Sequence, residues 1–303
     1  MPIFEIDPWR LQYFSNVPCP NDVNIPTEDS DAWVWNPRHR WVYDRIAIAT
    51  SQGIAAGPHG TIPGAFPVFS KPIVNLKGMG LGARVVSSKD EYDRHHMPGH
   101  MWMTLLRGTH LSSDVAVVSG IPLWWCHAVG LPADGGTFDY WIVGAEPKPG
   151  LEQRLDNWVQ MHLDGYTGMV NLETIGGTII EVHLRLTDQW PDLYGQDWVR
   201  SVVGLYERGH WDFVDHRGRR GYSVALFGPS GRQYRHPPRE LVDELAATRG
   251  ISSVQITFHE DRDPQHHAMP SGGFRLAVIN CRELHVGIAA REQLKAHFHS
   301  GIG

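Results

Sequence analysis

Gly168-Met169-Val170-Asn171-Leu172-Glu173-Thr174-Ile175-Gly176-Gly177-Thr178-Ile179-Ile180-Glu181-Val182-His183-Leu184-Arg185-Leu186 reads as two strands joined by a glycine turn. Side chains alternate between the faces of a strand, so Ile180, Val182, Leu184 and Leu186 share one side, and Glu181, His183 and Arg185 share the other. On the preceding strand Val170 and Leu172 are apolar, which leaves Asn171 and Glu173 opposite. A two-residue turn at Gly176-Gly177 would pair Glu173 with Ile180 and put Glu181 on the wrong face. A three-residue loop with a glycine bulge aligns the two polar sets, and this is the expected geometry. Two carboxylates brought together repel unless a cation lies between them, and hard oxygen ligands that leave room for waters and phosphates suit Mg²⁺. Arg185 beside them offers a planar fork to a terminal phosphate. A half-exposed antiparallel sheet with its polar residues in solvent has the same alternation, so the hairpin alone leaves both readings open.

Upstream, Leu151, Leu155, Trp158, Val159, His162 and Leu163 recur at helical spacing and predict an amphipathic helix over 151–164. Residues 66–72, Phe-Pro-Val-Phe-Ser-Lys-Pro, form a short apolar strand that delivers Lys71 at its end. Gly78, Gly80 and Gly82 follow in a loop before the strand 83–86. Glycines let a backbone turn its N–H groups toward phosphate oxygens, and a lysine at the strand end adds a point charge. The loop is neither a Walker A sequence nor a dinucleotide fingerprint, since the first order is absent and the loop lies between two strands. Ser88 and Glu91 have capping-box spacing, and strands are expected at 101–106, 115–118 and 123–129. Asp44 caps a helix with Ile46, Ile48 and Ala49 inward, ended by Gly53, and residues 1–37 read as an irregular packed leader. Beyond Pro191 strands are expected at 222–227, 254–258 and 274–280, helices at 238–248 and 290–298, and an exposed loop at 260–273.

With 303 residues, 42% hydrophobic and 20% charged, the chain can bury a sizeable core in one or two domains. A net charge of -6 gives no diffuse attraction for nucleic acid or anionic membrane, so neither is an expected partner. Cys19, Cys126 and Cys281 are an odd set without CxxC spacing, which points to buried free thiols in a reducing compartment. No apolar run is long enough to span a membrane, and no basic, then apolar, leader opens the sequence, so the protein is expected to be soluble and cytoplasmic. Tyr166, Trp124, Trp125 and Trp190 are candidates for the lining of a substrate pocket, but large aromatics mostly pack, so each is expected in the core.

The order of these elements resembles the ATP-grasp superfamily, from about Tyr43 to Tyr194. Residues 66–72 look like that family's strand ending in Lys-Pro, and Gly78–Gly82 like its phosphate loop. Met103-Thr104-Leu105-Leu106-Arg107-Gly108 sits where the family has the hinge that reads adenine through its backbone. Asn171-Leu172-Glu173 and Glu181-Val182-His183-Leu184-Arg185 look like its metal-binding strands, the second usually reading Glu-x-Asn-x-Arg. The resemblance implies an α+β fold of two α+β lobes with ATP between them, plus a C-terminal α/β extension. It implies an ADP-forming ligase that activates a carboxylate as an acylphosphate and joins it to an amine, with ATP and Mg²⁺ as cofactors and small-molecule carboxylate and amine substrates as partners. Arg185 and Lys71 would be catalytic. Lys71, Gly78, Gly80, Gly82, Thr104, Leu105, Leu106, His110 and Arg45 would bind nucleotide, and Glu173, Glu181 and His183 the metal. His183 replaces the family's usual Asn, Arg45 an additional lysine, and His110 an acidic residue that often holds the ribose. The expected division is an abbreviated N-terminal region, 1–65, ATP-grasp lobes, 66–200, and a C-terminal subdomain, 201–303, that completes the substrate site.

Two other classes are compatible with the sequence. One is an ATP-grasp-like module that binds nucleotide without turning it over. The other is a non-haem iron oxygenase using His210 and Asp212 with His259 or His285. His259-Glu260 and His266-His267 are further metal-capable pairs, expected in a solvated loop.

Overall fold

The computed structural model describes residues 7–300, apart from Met79, Leu81, His216, Arg217, Arg219 and 264–272. The leader is less irregular than its composition suggests, because α1 (Pro8–Leu11) and α2 (Asp29–Trp35) form within it. The Asp44 carboxylate accepts the N–H groups of Ile46 and Ala47 at 2.9 and 3.1 Å and so starts α3 (Arg45–Thr50), as expected of an N-cap. Four short antiparallel strands then build a small sheet: β1 (Ala56–Pro58), β2 (Val68–Pro72), β3 (Arg84–Val86) and β4 (His100–Thr104), in the order β1-β4-β2-β3. Between the last two, Ser88 caps α4 (Lys89–Arg94) through the Glu91 N–H, and the Glu91 carboxylate accepts the Ser87 N–H.

The second sheet is antiparallel with eight strands, from β5 (His110–Val118), β6 (Ile121–Pro132) and β7 (Phe138–Val143) through β8 (Gly168–Ile175) and β9 (Thr178–His183) to β10 (Gly221–Gly228), β11 (Ile251–Ile256) and β12 (Phe274–Cys281). Their order is β11-β12-β10-β7-β6-β5-β8-β9, so the strands of the C-terminal third continue the central sheet through the β7–β10 pairing. The helix α5 (Leu151–His162) lays Leu151, Leu155, Trp158 and Val159 on Leu111, Val115, Leu172 and Val182 on one face. On the other face, α6 (Pro191–Tyr194) and α7 (Gln196–Arg208) cover Trp124, Cys126, Ala128 and Trp141. The helices α8 (Arg239–Ala247) and α9 (Leu284–Ser300) close the core over β10 to β12. The residue-200 boundary expected from the sequence falls inside α7.

Tyr166, Trp124, Trp125 and Trp190 are all buried. Cys126 and Cys281 are buried and Cys19 partly so, and none forms a disulfide. Among the described residues no helix is long and apolar enough to cross a membrane.

The face of β5 and β8 under α6 carries a buried polar knot. The Asp114 carboxylate accepts hydrogen bonds from Asn171 Nδ2, the Thr187 N–H, the Thr187 hydroxyl and the Tyr194 hydroxyl, all at 2.9–3.0 Å. These bonds fix the chain just after Arg185. Asp114→Ala strands several buried donors at once and is expected to lower stability by about 2–4 kcal/mol in urea unfolding.

Candidate active site

The β8–β9 hairpin brings Glu173 and Glu181 directly opposite each other, and Asn171 opposite His183. It does so by a different device from the one expected. The turn has two residues, with Ile175 paired to Thr178 across Gly176-Gly177, and the extra residue that restores the register is Ile180. Both glycines have positive φ, and a Cβ on Gly176 would lie 2.5 Å from the Arg107 carbonyl. The turn is therefore pressed against the 105–109 segment, where the Gly176 N–H also donates to the Thr109 carbonyl at 3.0 Å.

The bulge also corrects the expected facing of the apolar residues. Val182 stays under α5, but Ile180 turns into a second core with Ala49 of α3 and Met101 and Met103 of the small sheet. Its freed carbonyl accepts from Lys71 Nζ at 2.9 Å. Nor does β9 run to Leu186: the Leu184 N–H bonds the Tyr43 hydroxyl at 3.1 Å, and Leu186 packs on the α7 side.

Lys71 and Arg45, both buried, reach the hairpin from the small sheet and α3. Arg45 Nη2 lies 2.7 Å from Glu181 Oε2, and Lys71 Nζ lies 3.8 Å from Oε1. Burial by itself raises a carboxyl, but Arg45, Lys71 and His183 outweigh it and bring Glu181 down to about 2. Burial likewise pushes the Lys71 ammonium down to about 8, with Glu181 opposing and Arg45 adding to the shift. Glu173 meets His110 Nε2 at 3.1 Å; burial pushes its carboxyl up, and His110 more than reverses that. His110 also stands edge-on to Phe138 and Trp141, with centroids 5.1 and 5.6 Å away.

His183 turns Nε2 toward the two carboxylates, 3.7 Å from Glu181 and 4.0 Å from Glu173. Its Nδ1 lies 3.0 Å from both oxygens of Asp29, and Arg185 Nε and Nη2 approach the same carboxylate at 2.9 and 3.0 Å. Asp29 is wholly buried and also accepts from Tyr43 at 3.2 Å. Burial opposes its ionisation, but Arg185 and His183 hold its carboxyl far below the usual range. Burial also opposes charge on His183, and Asp29 more than offsets it, so the imidazole titrates above its ordinary value. Asp29 is the member of the site that sequence reasoning missed, because nothing in Glu28-Asp29-Ser30-Asp31 distinguishes a buried carboxylate from a helix start.

Gly78, Gly80 and Gly82 have φ of 68, 61 and 73°, the turned conformation a phosphate-approaching loop needs. The Asn75 amide donates to the Gly78 carbonyl at 2.8 Å. Thr104 ends β4 exposed, two residues short of the strand expected to reach 106, while Leu105 and Leu106 are half-buried in the irregular segment connecting the two sheets.

Glu173 and Glu181 supply hard oxygens, face each other and are partly open to solvent, at 29% and 15% of their side-chain surface. This donor set fits Mg²⁺, which needs only one or two protein carboxylates beside waters and phosphates. Among the described residues no three His, Cys, Asp or Glu side chains are already set to hold a metal ion by themselves. That removes the iron triad as well: Asp212 accepts from Ser201 at 2.6 Å, and His259 pairs with Asp7 at 2.7 Å. The Glu260 carboxylate accepts the His236 N–H, and His266 and His267 lie outside the described residues. A Ser113–His127–Glu152 chain, with contacts of 2.8 and 3.2 Å, resembles a nucleophile relay. Ser113 is fully buried in the sheet, and the adjoining cavity of about 30 Å³ is too small for a substrate.

No protein-family model matches the sequence, and no curated protein matches it. Solved structures do match in shape. An L-amino acid ligase from Bacillus licheniformis superposes with a TM-score of 0.61 at 13% identity, covering 95% of this chain and 82% of its own. N5-carboxyaminoimidazole ribonucleotide synthetase from Thermotoga maritima gives 0.58 at 14% identity, covering 91% and 81%. N5-carboxyaminoimidazole synthase from Aspergillus clavatus, solved with ADP and 5-aminoimidazole ribonucleotide, gives 0.57 at 11% identity, covering 92% and 82%. With a small antiparallel sheet joined by a short irregular segment to a large one, and with these neighbours along nearly its whole length, the chain has the ATP-grasp fold.

Proposed function

We propose that the protein is an ADP-forming ligase that binds ATP between the two sheets, phosphorylates a small-molecule carboxylate, and joins the acyl group to an amine. The observation that carries this is the Glu173–Glu181 pair, held face to face by the bulge at Ile180 while Lys71 and Arg45 reach it from the other sheet. Two anions and two cations gathered where the hairpin meets the small sheet are what a magnesium triphosphate would meet. The likeness to ligases of the same fold supports the reading, as does the ADP carried by one neighbour.

In this reading, Thr104, Leu105 and Leu106 present backbone groups to the adenine, and His110 stands near the ribose. Gly78, Gly80 and Gly82 turn N–H groups to the phosphates, and Lys71 and Arg45 exchange Glu181 for phosphate oxygens. Glu173 and Glu181 would hold Mg²⁺, which supplies charge neutralisation on the phosphates. His183 offers Nε2 to the same space, and the Asp29 contact at Nδ1 is the arrangement that orients a metal-facing imidazole. Arg185 is aligned by Asp29 to receive charge on the transferring phosphoryl group. The carboxylate oxygen attacks the γ-phosphorus and the bond to ADP breaks. The amine nitrogen then attacks the acyl carbon, inorganic phosphate leaves, and the amine gives up a proton to solvent. The nucleotide-binding unit in this reading runs from Arg45 to the end of the hairpin, and the chain beyond α7 completes the substrate side.

Phosphate release from ATP with a panel of carboxylates and amines tests the reading. Turnover is expected only when one member of each class is present, and release that is the same with either class alone would contradict it. Lys71→Met is expected to weaken nucleotide binding by roughly 10- to 100-fold while the protein stays folded, measured by titration calorimetry.

A further inference from the structure

Apart from the Glu173–Glu181 site, a mostly buried cation on β12 has an ion-pair contact, with Asp188, but no hydrogen bond among the described residues. Phe274 and Leu276, on either side of Arg275, point into the core under α8 and α9, so Arg275 points the other way, toward the segment that follows Arg185. Its side chain is only 14% exposed, and its nearest anion, Asp188, is 3.7 Å away, too far for a hydrogen bond. Asp188 is already engaged: both Nε and Nη2 of Arg10 sit 3.0 Å from its Oδ2. Arg10 also meets Glu28, so the neighbouring carboxylates are drawn to Arg10 rather than to Arg275. A guanidinium carries five donors, and leaving them unmet in a partly dry site is costly. Burial, with Asp188 opposing and Arg10 reinforcing, lowers the Arg275 pKa. Asp188, whose carboxyl burial would raise, is instead brought down to about 2 by Arg10, Arg275 and Arg185 in turn. The same carboxylate therefore lies within the field of both Arg275 and Arg185.

We propose that Arg275 docks an anionic group, carboxylate or phosphate, carried by the acceptor substrate at a point away from the bond being made. Its fork gives two parallel hydrogen bonds to either group. The use made of the bound molecule rests on the ligase reading; the anion site itself does not.

The test is a titration of the nucleotide-free protein with inorganic phosphate and, separately, with succinate, at constant ionic strength. Wild type, R275Q, R275K and the surface variant R38Q are compared by thermal midpoint and by 31P line width. Saturable binding of at least one probe is expected in wild type and R38Q. It should be weaker by roughly 10- to 100-fold in R275Q and intermediate in R275K, which keeps the charge but not the fork. Preference for phosphate or for succinate identifies the group. Equal binding in wild type and R275Q, or no saturable binding of either probe to wild type, would overturn the proposal. R275K keeps the comparison usable if R275Q does not fold. Parallel titration with a non-hydrolysable ATP analogue separates the two claims: loss of nucleotide binding in wild type removes the ligase reading while the phosphate result still decides Arg275.

Discussion

Replacing Glu181 with glutamine is expected to reduce ATP turnover by about 10³-fold or more, with the fold intact. The side chain keeps its shape, so the Ile180 bulge and the pairing with Glu173 have no steric reason to change. What is lost is one of two opposed hard ligands and the counter-charge of Arg45 and Lys71. In the nucleotide-free protein those cations then face a neutral amide, which costs some stability. In the proposed nucleotide complex the phosphates would compensate them, so the deficit would fall on metal retention and on phosphoryl transfer. Turnover assays with circular dichroism as the folding control check this, and a folded E181Q enzyme with full activity is incompatible with the assigned role.

The second large effect is on stability. Asp29→Asn leaves Arg185 and His183 without the buried carboxylate that both contact, and removal of one partner from such a group costs about 3–5 kcal/mol. Chemical denaturation at pH 7 measures it. The pH dependence gives a second readout with a definite sign. Asp29, Glu181 and Asp188 all titrate below their ordinary values in the folded protein, the latter two at about 2. The unfolded chain therefore binds protons first as pH falls. The stabilisation is fully present above about pH 4, the range of free carboxyls, and is lost as pH drops toward about 2. Wild-type stability should fall steeply over that interval, and the Asp29→Asn slope should be shallower. Identical slopes would mean that the Asp29 carboxylate is not held ionised by its neighbours.

The parts of the site that were legible in the sequence are those governed by short-range rules. Alternation placed Glu173 and Glu181 on one face, the Asp44 cap and the Ser88–Glu91 box set two helix starts, and the helix over Leu151–His162 follows from its period. The bulge was misread because a three-residue loop and a two-residue turn with one extra strand residue restore the same register. Only the contact of Ile180 with Ala49, Met101 and Met103 selects the second. Asp29 was illegible for a related reason, since its partners Arg185 and His183 lie more than 150 positions away. The helix over Gln196–Arg208 was missed, although Trp198, Val202 and Leu205 recur at helical spacing, and so was the strand over Phe138–Val143. Nothing local announces that Gly221–Gly228 pairs with Phe138–Val143 and so carries the C-terminal strands into the central sheet.

ATP with Mg²⁺ is expected to bind where the hairpin meets the small sheet, through Glu173, Glu181, Lys71 and Arg45. Calorimetric titration of the wild-type protein with a non-hydrolysable ATP analogue, with and without Mg²⁺, tests it most directly. One saturable site whose affinity rises with Mg²⁺ is predicted. Absence of binding at millimolar analogue, or binding indifferent to Mg²⁺, would contradict it.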